Sequence, residues 1–372
     1  CLISQNSCLF AQAGNPCCMS GGESLNRQVE RYKYELHAKR LSSEPLKNLK
    51  ERAFGNHITT FEITVIVRSP PGSNVRVGQK FKLQESTLSD NLQKPTRKTL
   101  NSGTSVVIVA DGEDLSNDAA ILCEADEELV AYLKTTSDAL KNIEGDQSRT
   151  KIFVSFLASD NKTIVQDAMT EIVSNGYEGV YSVRKDLPRE LIMQRIQDSG
   201  TSQYEIMNYG VLAGVCGDAS DAAVLEEIIL KVNGDFRNGL EGLMAGYLLL
   251  KSEAGLAVLD ETKLKATTAT TPDGKEIKLP FSETYAALQA MRFLWNVAPP
   301  VISKERIQQS MHLLLDRKEF ADLVITDLAR WKDWSIQDRL MNIYFDERFD
   351  IPAIRRAIVR YMFMSSQEEI VT

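Results

Sequence analysis

At 372 residues, with 25% of them charged and a net charge of −8, the chain has the composition of a folded protein with more than one core. The acidic balance argues against a nucleic-acid backbone or an anionic membrane surface as the main partner, because both reward clustered lysine and arginine. No apolar run approaches the roughly 20 residues that cross a bilayer, so membrane insertion is not expected.

The opening, "CLISQNSCLFAQAGNPCC", starts at Cys1 and reads as the back end of a secretory signal. Leu9 and Phe10 precede Ala11-Gln12-Ala13, a small-x-small cleavage site, and Gly14 follows. An exported, extracytoplasmic protein is therefore expected, with residues 1–28 as signal remnant and cysteine-bearing segment. Four of the six cysteines (Cys1, Cys8, Cys17 and Cys18) fall here. Cleavage after Ala13 leaves Cys17 and Cys18 near the mature N-terminus, where an oxidising compartment allows a disulfide with another cysteine. Adjacent cysteines rarely bond each other, because the peptide between them is strained. Metal binding by the pair stays open as an alternative.

Residues 29–126 read as a small β domain. "RYKYELHAKRL" alternates weakly, and Thr59–Ser69 is rich in β-branched residues before Pro70-Pro71-Gly72 stops it. "NVRVGQKFKLQ" follows, then Thr104–Asp114, a continuous apolar run suited to a strand buried on both faces, and "AAILCEA". Short strands in this number suggest a small closed barrel or a sandwich, and a barrel-like, OB-like module is expected because closure removes exposed edges. The polar stretch Glu85–Leu100, with Pro95, is the expected loop excursion.

From Glu127 onward the period changes from two to 3.6, which makes residues 127–372 an all-α domain. Helices are expected at Glu127–Ala139, Ser148–Leu157, Thr163–Ser174, Arg189–Gln197, Tyr204–Cys216, Ala219–Val232, Leu240–Lys251 and Ala254–Leu264. Further ones are expected at Ser282–Val297, Lys304–Leu315, Phe320–Trp334, Ile336–Phe345 and Ile351–Met364. A hairpin with Asp273-Gly274 at its tip interrupts them. Connections are mostly short, and helix pairs recur at a solenoid-like spacing. "IPAIRRAIVRYMF", with Pro352 near its start and paired arginines before a small residue, resembles the inner helix of a HEAT-type repeat. The fold class is thus α+β: a small β-barrel-like domain, then a HEAT-like helical repeat domain.

The stretches "NGLEGLMAGYLLLKSEAGLAVL", "AALQAMRFLWNV", "FADLVITDLARWKDW" and "FDIPAIRRAIVRYMFMSS" resemble segments of uncharacterised, exported HEAT-like proteins of planctomycete bacteria. The resemblance runs from Tyr32 to Ser365 and is strongest after Met207. It implies a small β domain, a helical-repeat half and export, and it carries no established activity. Where that family opens with Cys-x-x-Cys, this chain has Cys17-Cys18.

Some charges fall where apolar residues belong. Asp327 lies on the stripe of Leu323, Val324, Leu328 and Trp331, and Arg355 lies on that of Ile351, Ile354 and Ile358. A carboxylate and a guanidinium on successive buried faces predict a structural ion pair between Asp327 and Arg355. Trp331 and Trp334, three apart, are read first as packing. With Arg356 and Arg360 they also form the candidate partner surface. Phosphate-loop, zinc-protease, serine-nucleophile and EF-hand patterns are missing, so no catalytic residue, cofactor or metal is assigned. His312 is read as a packed helix position, and weak cation binding at Asp111, Glu113 and Asp114 is a minor alternative. The expected function is non-catalytic scaffolding, or accessory-subunit work, with a protein partner along the helical surface. One rival reading is a HEAT-type lyase-like enzyme or small-ligand binder using the groove. The other is a regulatory or inhibitory binder acting through the β domain.

Overall fold

A computed structural model describes residues 23–45, 56–86, 101–141, 143, 145–237, 239–297 and 299–371. Cys17, Cys18 and the expected cleavage site lie outside them, as does most of the expected loop excursion. The chain is α+β and divides into two compact units, one ending at Asn175 and one running from Gly176.

In the first unit the strands are β1 (Tyr34–Pro45), β2 (Asn56–Arg68), β3 (Lys80–Ser86), β4 (Ser105–Ala110) and β5 (Ala119–Ala125). They form one antiparallel sheet in the order β3-β2-β1-β4-β5. Alternation sorts their side chains. Tyr34, Leu36 and Ala38 face a core shared with Phe61, Ile63, Phe81, Leu83, Val106 and Ile108. Glu35 and His37 therefore lie on the opposite face, and helix α2 (Glu127–Leu140) packs on β2 and β5.

The closed barrel expected from the sequence is corrected here. The sheet is open, with β3 and β5 as its edges. A single side chain spans them. Arg40, fully buried on β1, forks onto Glu85 of β3 at 2.6 and 2.9 Å and reaches Glu124 of β5 at 3.5 Å. A guanidinium with two carboxylates needs more room than the roughly 4.8 Å between hydrogen-bonded strands. Charge therefore joins the margins where a barrel would have a backbone ladder. The helical turn Leu115–Asp118, between β4 and β5, also packs against β3.

This unit runs past the boundary expected at 126/127. Helices α1 (Leu25–Glu30), α2, α3 (Asp146–Val154) and α4 (Lys162–Ser174) all belong to it. The reason is polar and buried. Asp167 of α4 accepts from the Leu25 backbone N–H, from Asn26 at 2.5 Å and from the Tyr132 hydroxyl of α2 at 2.7 Å. Glu171, one turn on, accepts from the Ser24 hydroxyl and from Arg149 of α3 at 2.7 and 2.9 Å. Ser24 also caps α1 through the Arg27 N–H. The end of the segment assigned to a signal remnant is thus a built helix N-terminus.

The second unit is helical. It comprises α5 (Gly176–Ser182), α6 (Arg189–Gln197), α7 (Gln203–Cys216), α8 (Ala219–Leu230), α9 (Leu240–Leu259) and α10 (Phe281–Trp295). After them come α11 (Lys304–His312), α12 (Ala321–Arg330), α13 (Gln337–Phe345) and α14 (Pro352–Val371). Capping boxes open α7 at Ser202 and Glu205, and α8 at Asp218 and Asp221. The expected hairpin is present as β6 (Thr268–Thr270) and β7 (Glu276–Lys278), turning at Gly274 with φ +84°. The two helices expected at 240–251 and 254–264 are both present and meet at a kink, and they carry the single label α9. It is broken at Ser252, where φ is 51°, and continues into a π-turn over Asp260–Lys265.

Residues 240–265 are long and apolar enough to cross a membrane by length and composition, which corrects the expectation that no run is. More than half of that window is buried inside the protein, and the apolarity serves packing. Helices α7 and α9 cross at facing Gly-x-x-x-Gly steps, Gly210/Gly214 against Gly242/Gly246. A Cβ on Gly246 would lie 1.9 Å from the Gly210 oxygen, and one on Gly242 2.0 Å from the Met207 oxygen. Both are backbone atoms, so no side chain can swing aside.

Two expectations follow from these units. Gly246→Ala gains at most about 1 kcal/mol of helix propensity. It meets an overpacking cost of about 3 kcal/mol, so urea unfolding should show a clear net loss. In the first unit, Glu35 is fully buried with both carboxyl oxygens unbonded and Arg68 only within 3.9 Å, and burial pushes it up from 4.5 to about 7. His37, equally buried, is pushed down from 6.5 to about 4. A raised acid withdraws stability as pH climbs from 4.5 to 7, and the cost is then constant. A lowered imidazole withdraws it as pH falls from 6.5 to 4. Glu35→Gln should therefore gain about 2 kcal/mol on the wild type between pH 5 and pH 8. The His37 contribution cancels in that comparison.

Candidate functional site

Asp327, Glu283 and Glu171, carboxylates that the helical pattern sets among apolar residues, each meet a cation from outside their own helix, while Asp167 is held by neutral donors. Asp327 on α12 is 3% exposed and takes Arg292 of α10 at 2.7 Å, with Arg330 at 3.8 Å. Burial pushes its carboxyl up against the pull of Arg292. The expected Asp327–Arg355 pair is therefore corrected. Arg355 pairs instead with Asp350 at 3.1 Å, its guanidinium over the Tyr344 ring. Helices α12 and α14 do pack together, but α12 turns Asp327 towards α10. The guanidinium of α10 is the one within reach.

The same geometry recurs at places that sequence reading passed over. Glu283 of α10, 1% exposed, accepts from Arg237 at 2.7 and 2.8 Å and from Lys263 at 2.6 Å. Lys263 sits in the π-turn, and burial lowers its ammonium. Asp260, in the same turn, takes Arg306 of α11 at 2.6 Å. A usable signal was present. Asp167 and Glu171 fall three and seven after Ile164, on the stripe of Ala168 and Ile172, as Asp327 does on its own. Lys263 and Glu283 are enclosed at 1% exposure each, which suits a tie better than a group meeting substrate.

His312, expected as a packed position, closes α11 and bonds Asp333 at 2.6 Å through Nε2. The other Asp333 oxygen accepts from the Ser335 hydroxyl at 2.6 Å and its N–H at 3.1 Å. Both oxygens are thus spent on joining α11 to the turn after α12. Glu113 accepts from the Asn74 backbone and side chain at 3.0 and 3.2 Å and from the Tyr34 hydroxyl at 3.2 Å. No group of three or more potential metal ligands gathers among the described residues. Burial pushes the Cys216 thiol up to about 11, away from nucleophilic use.

The four residues of the expected partner surface separate. Trp331 stacks on Trp295 with ring centres 4.1 Å apart, and the Lys304 ammonium lies over Trp295 at 4.9 Å. Trp334 meets the buried Tyr361 edge-on at 5.1 Å. Both indoles are half-buried and engaged in packing. Arg356 and Arg360 are exposed on α14, and neither pairs with a carboxylate among the described residues. Between and beyond them stand Val359, 57% exposed, and Phe363, 62% exposed. The spacing 356, 359, 360, 363 is one stripe of a helix, turned away from the buried Ile354, Ile358 and Tyr361. Helix α13, packed on α14, adds Met341 and Phe345, the latter 73% exposed.

Arg292→Met strands a buried carboxylate and should cost about 3 kcal/mol. Arg355→Met, at a half-exposed pair, should change stability by less than about 1 kcal/mol. Thermal melts of the two variants decide between Arg292 and Arg355 as the partner of Asp327. Comparisons of the chain with protein-family models, with curated proteins and with solved structures return no match.

Proposed function

We propose that this is a non-catalytic interaction protein, a scaffold or accessory subunit that holds a protein partner on its second unit. One observation carries the reading: α13 and α14 each show water two large apolar side chains four residues apart, Met341 with Phe345 and Val359 with Phe363. Apolar ridges of this kind on adjacent helices mark sites that a partner covers. The buried charges point the same way, since Glu171, Glu283 and Asp327 spend their oxygens on structural ties.

The finer parts of the reading rest on sequence. HEAT-like stacking of the helices from Gly176 is supported by their short connections and by the resemblance carried by "NGLEGLMAGYLLLKSEAGLAVL" and "FDIPAIRRAIVRYMFMSS". Export is supported by Leu9-Phe10 before Ala11-Gln12-Ala13, and the planctomycete family by the same stretches.

Phe363 replaced by a photo-reactive phenylalanine analogue tests the surface. Illumination in native extract should give a protein adduct from position 363 and none from the same probe at exposed Lys278. A chain that elutes as a bare monomer and gives no adduct at 363 overturns the reading.

A further inference from the structure

We infer that the exposed stripe of α14 receives an acidic, amphipathic helical segment of another protein, rather than a second copy of this chain. The inference rests on the proposed function and specifies its partner. The stripe joins two exposed apolar side chains, Val359 and Phe363, to two arginines, Arg356 and Arg360. Those arginines have no carboxylate among the described residues. In this acidic chain Arg27, Arg149, Arg189, Arg237, Arg292 and Arg306 each hold a carboxylate, whereas Arg356 and Arg360 stand exposed beside two exposed apolar side chains.

Self-association fails on charge. Two α14 helices laid antiparallel about the middle of the stripe would set Arg356 against Phe363 and Arg360 against Val359. Four guanidinium groups would then share one seam. Residues 352–366 contain no aspartate or glutamate to neutralise them. A parallel pair would stack arginine on arginine. A helix carrying leucine-like side chains flanked by glutamates covers Val359 and Phe363 and gives each arginine a carboxylate. The chain as a whole is acidic, with a net charge of −8, so its overall field opposes such a segment and the local arginines supply the attraction.

The probe is a fluorescein-labelled helical peptide with a leucine stripe flanked by glutamates, set against the same peptide with lysine for every glutamate. The full chain should bind the glutamate peptide at least about tenfold tighter, with affinity falling as salt rises. The double variant Arg356→Glu with Arg360→Glu should reverse that preference. Its melting curve should match the wild type, since both side chains are exposed and unpaired. Arg356→Gln with Arg360→Gln gives an intermediate preference and repeats the test without new negative charge. Phe363→Ala should weaken the glutamate peptide about tenfold. Equal affinity of wild type and the charge-reversed variant for the glutamate peptide, a preference for the lysine peptide, or no binding overturns the inference. A photo-adduct at position 363 that survives charge reversal overturns the acidic assignment alone and leaves the interaction reading standing. Absence of any adduct at 363 in the wild-type chain removes both, whereas an adduct lost only on charge reversal supports the acidic assignment.

Discussion

Buried carboxylates must find donors, and in both units most of them find a cation from another element. Glu171 is met by Arg149, Glu283 by Arg237 and Lys263, Asp327 by Arg292, Asp260 by Arg306 and Glu85 by Arg40. Each pair joins elements distant in sequence. A guanidinium presents a planar fork, so its pairing fixes orientation as well as distance. Such pairs contribute little net stability against a well-packed apolar alternative. Their effect is on register. A helix that slipped by one residue would carry its carboxylate away from the arginine and leave it bare.

Close packing sets the second constraint, and it bears on how the most apolar segment is understood. Helix α9 has the composition of a membrane span, yet its glycines lie against the α7 backbone at a distance that no Cβ tolerates. The break at Ser252 and the π-turn that follows let the chain leave that crossing and place Lys263 beside Glu283. An unbroken helix would keep Lys263 on a different azimuth, since a π-turn shifts the residues beyond it around the axis.

The outer face of α14 contrasts with this interior. Inside, Glu171, Glu283 and Asp327 are paired with cations, whereas α14 turns two arginines and two large apolar side chains outward together. In the first unit, the buried Glu35 and His37 remain unbonded beneath α2. Their cost falls on stability at the two ends of the pH range and lies far from the exposed stripe in chemical character.

Much of this was legible along the chain. The five strands, the hairpin at Gly274, the capped helices and the misplaced charge at Asp327 all follow from local rules: β-branched runs, turn residues, side-chain oxygens at helix starts, and a 3.6-residue period. Those rules act within a few residues, so sequence determined the elements and the need for a partner at Asp327. It could not name the partner. Whether Arg292 or Arg355 reaches that carboxylate depends on which neighbour α12 faces, a long-range matter of packing. The same holds for the sheet, whose strands were readable while the reach of Arg40 on β1 to Glu85 of β3 and Glu124 of β5 was not. It holds also for the glycines Gly210, Gly214, Gly242 and Gly246, whose facing positions depend on how α7 and α9 cross. Tertiary structure decided these points, because only there do residues tens of positions apart compete for the same few ångströms.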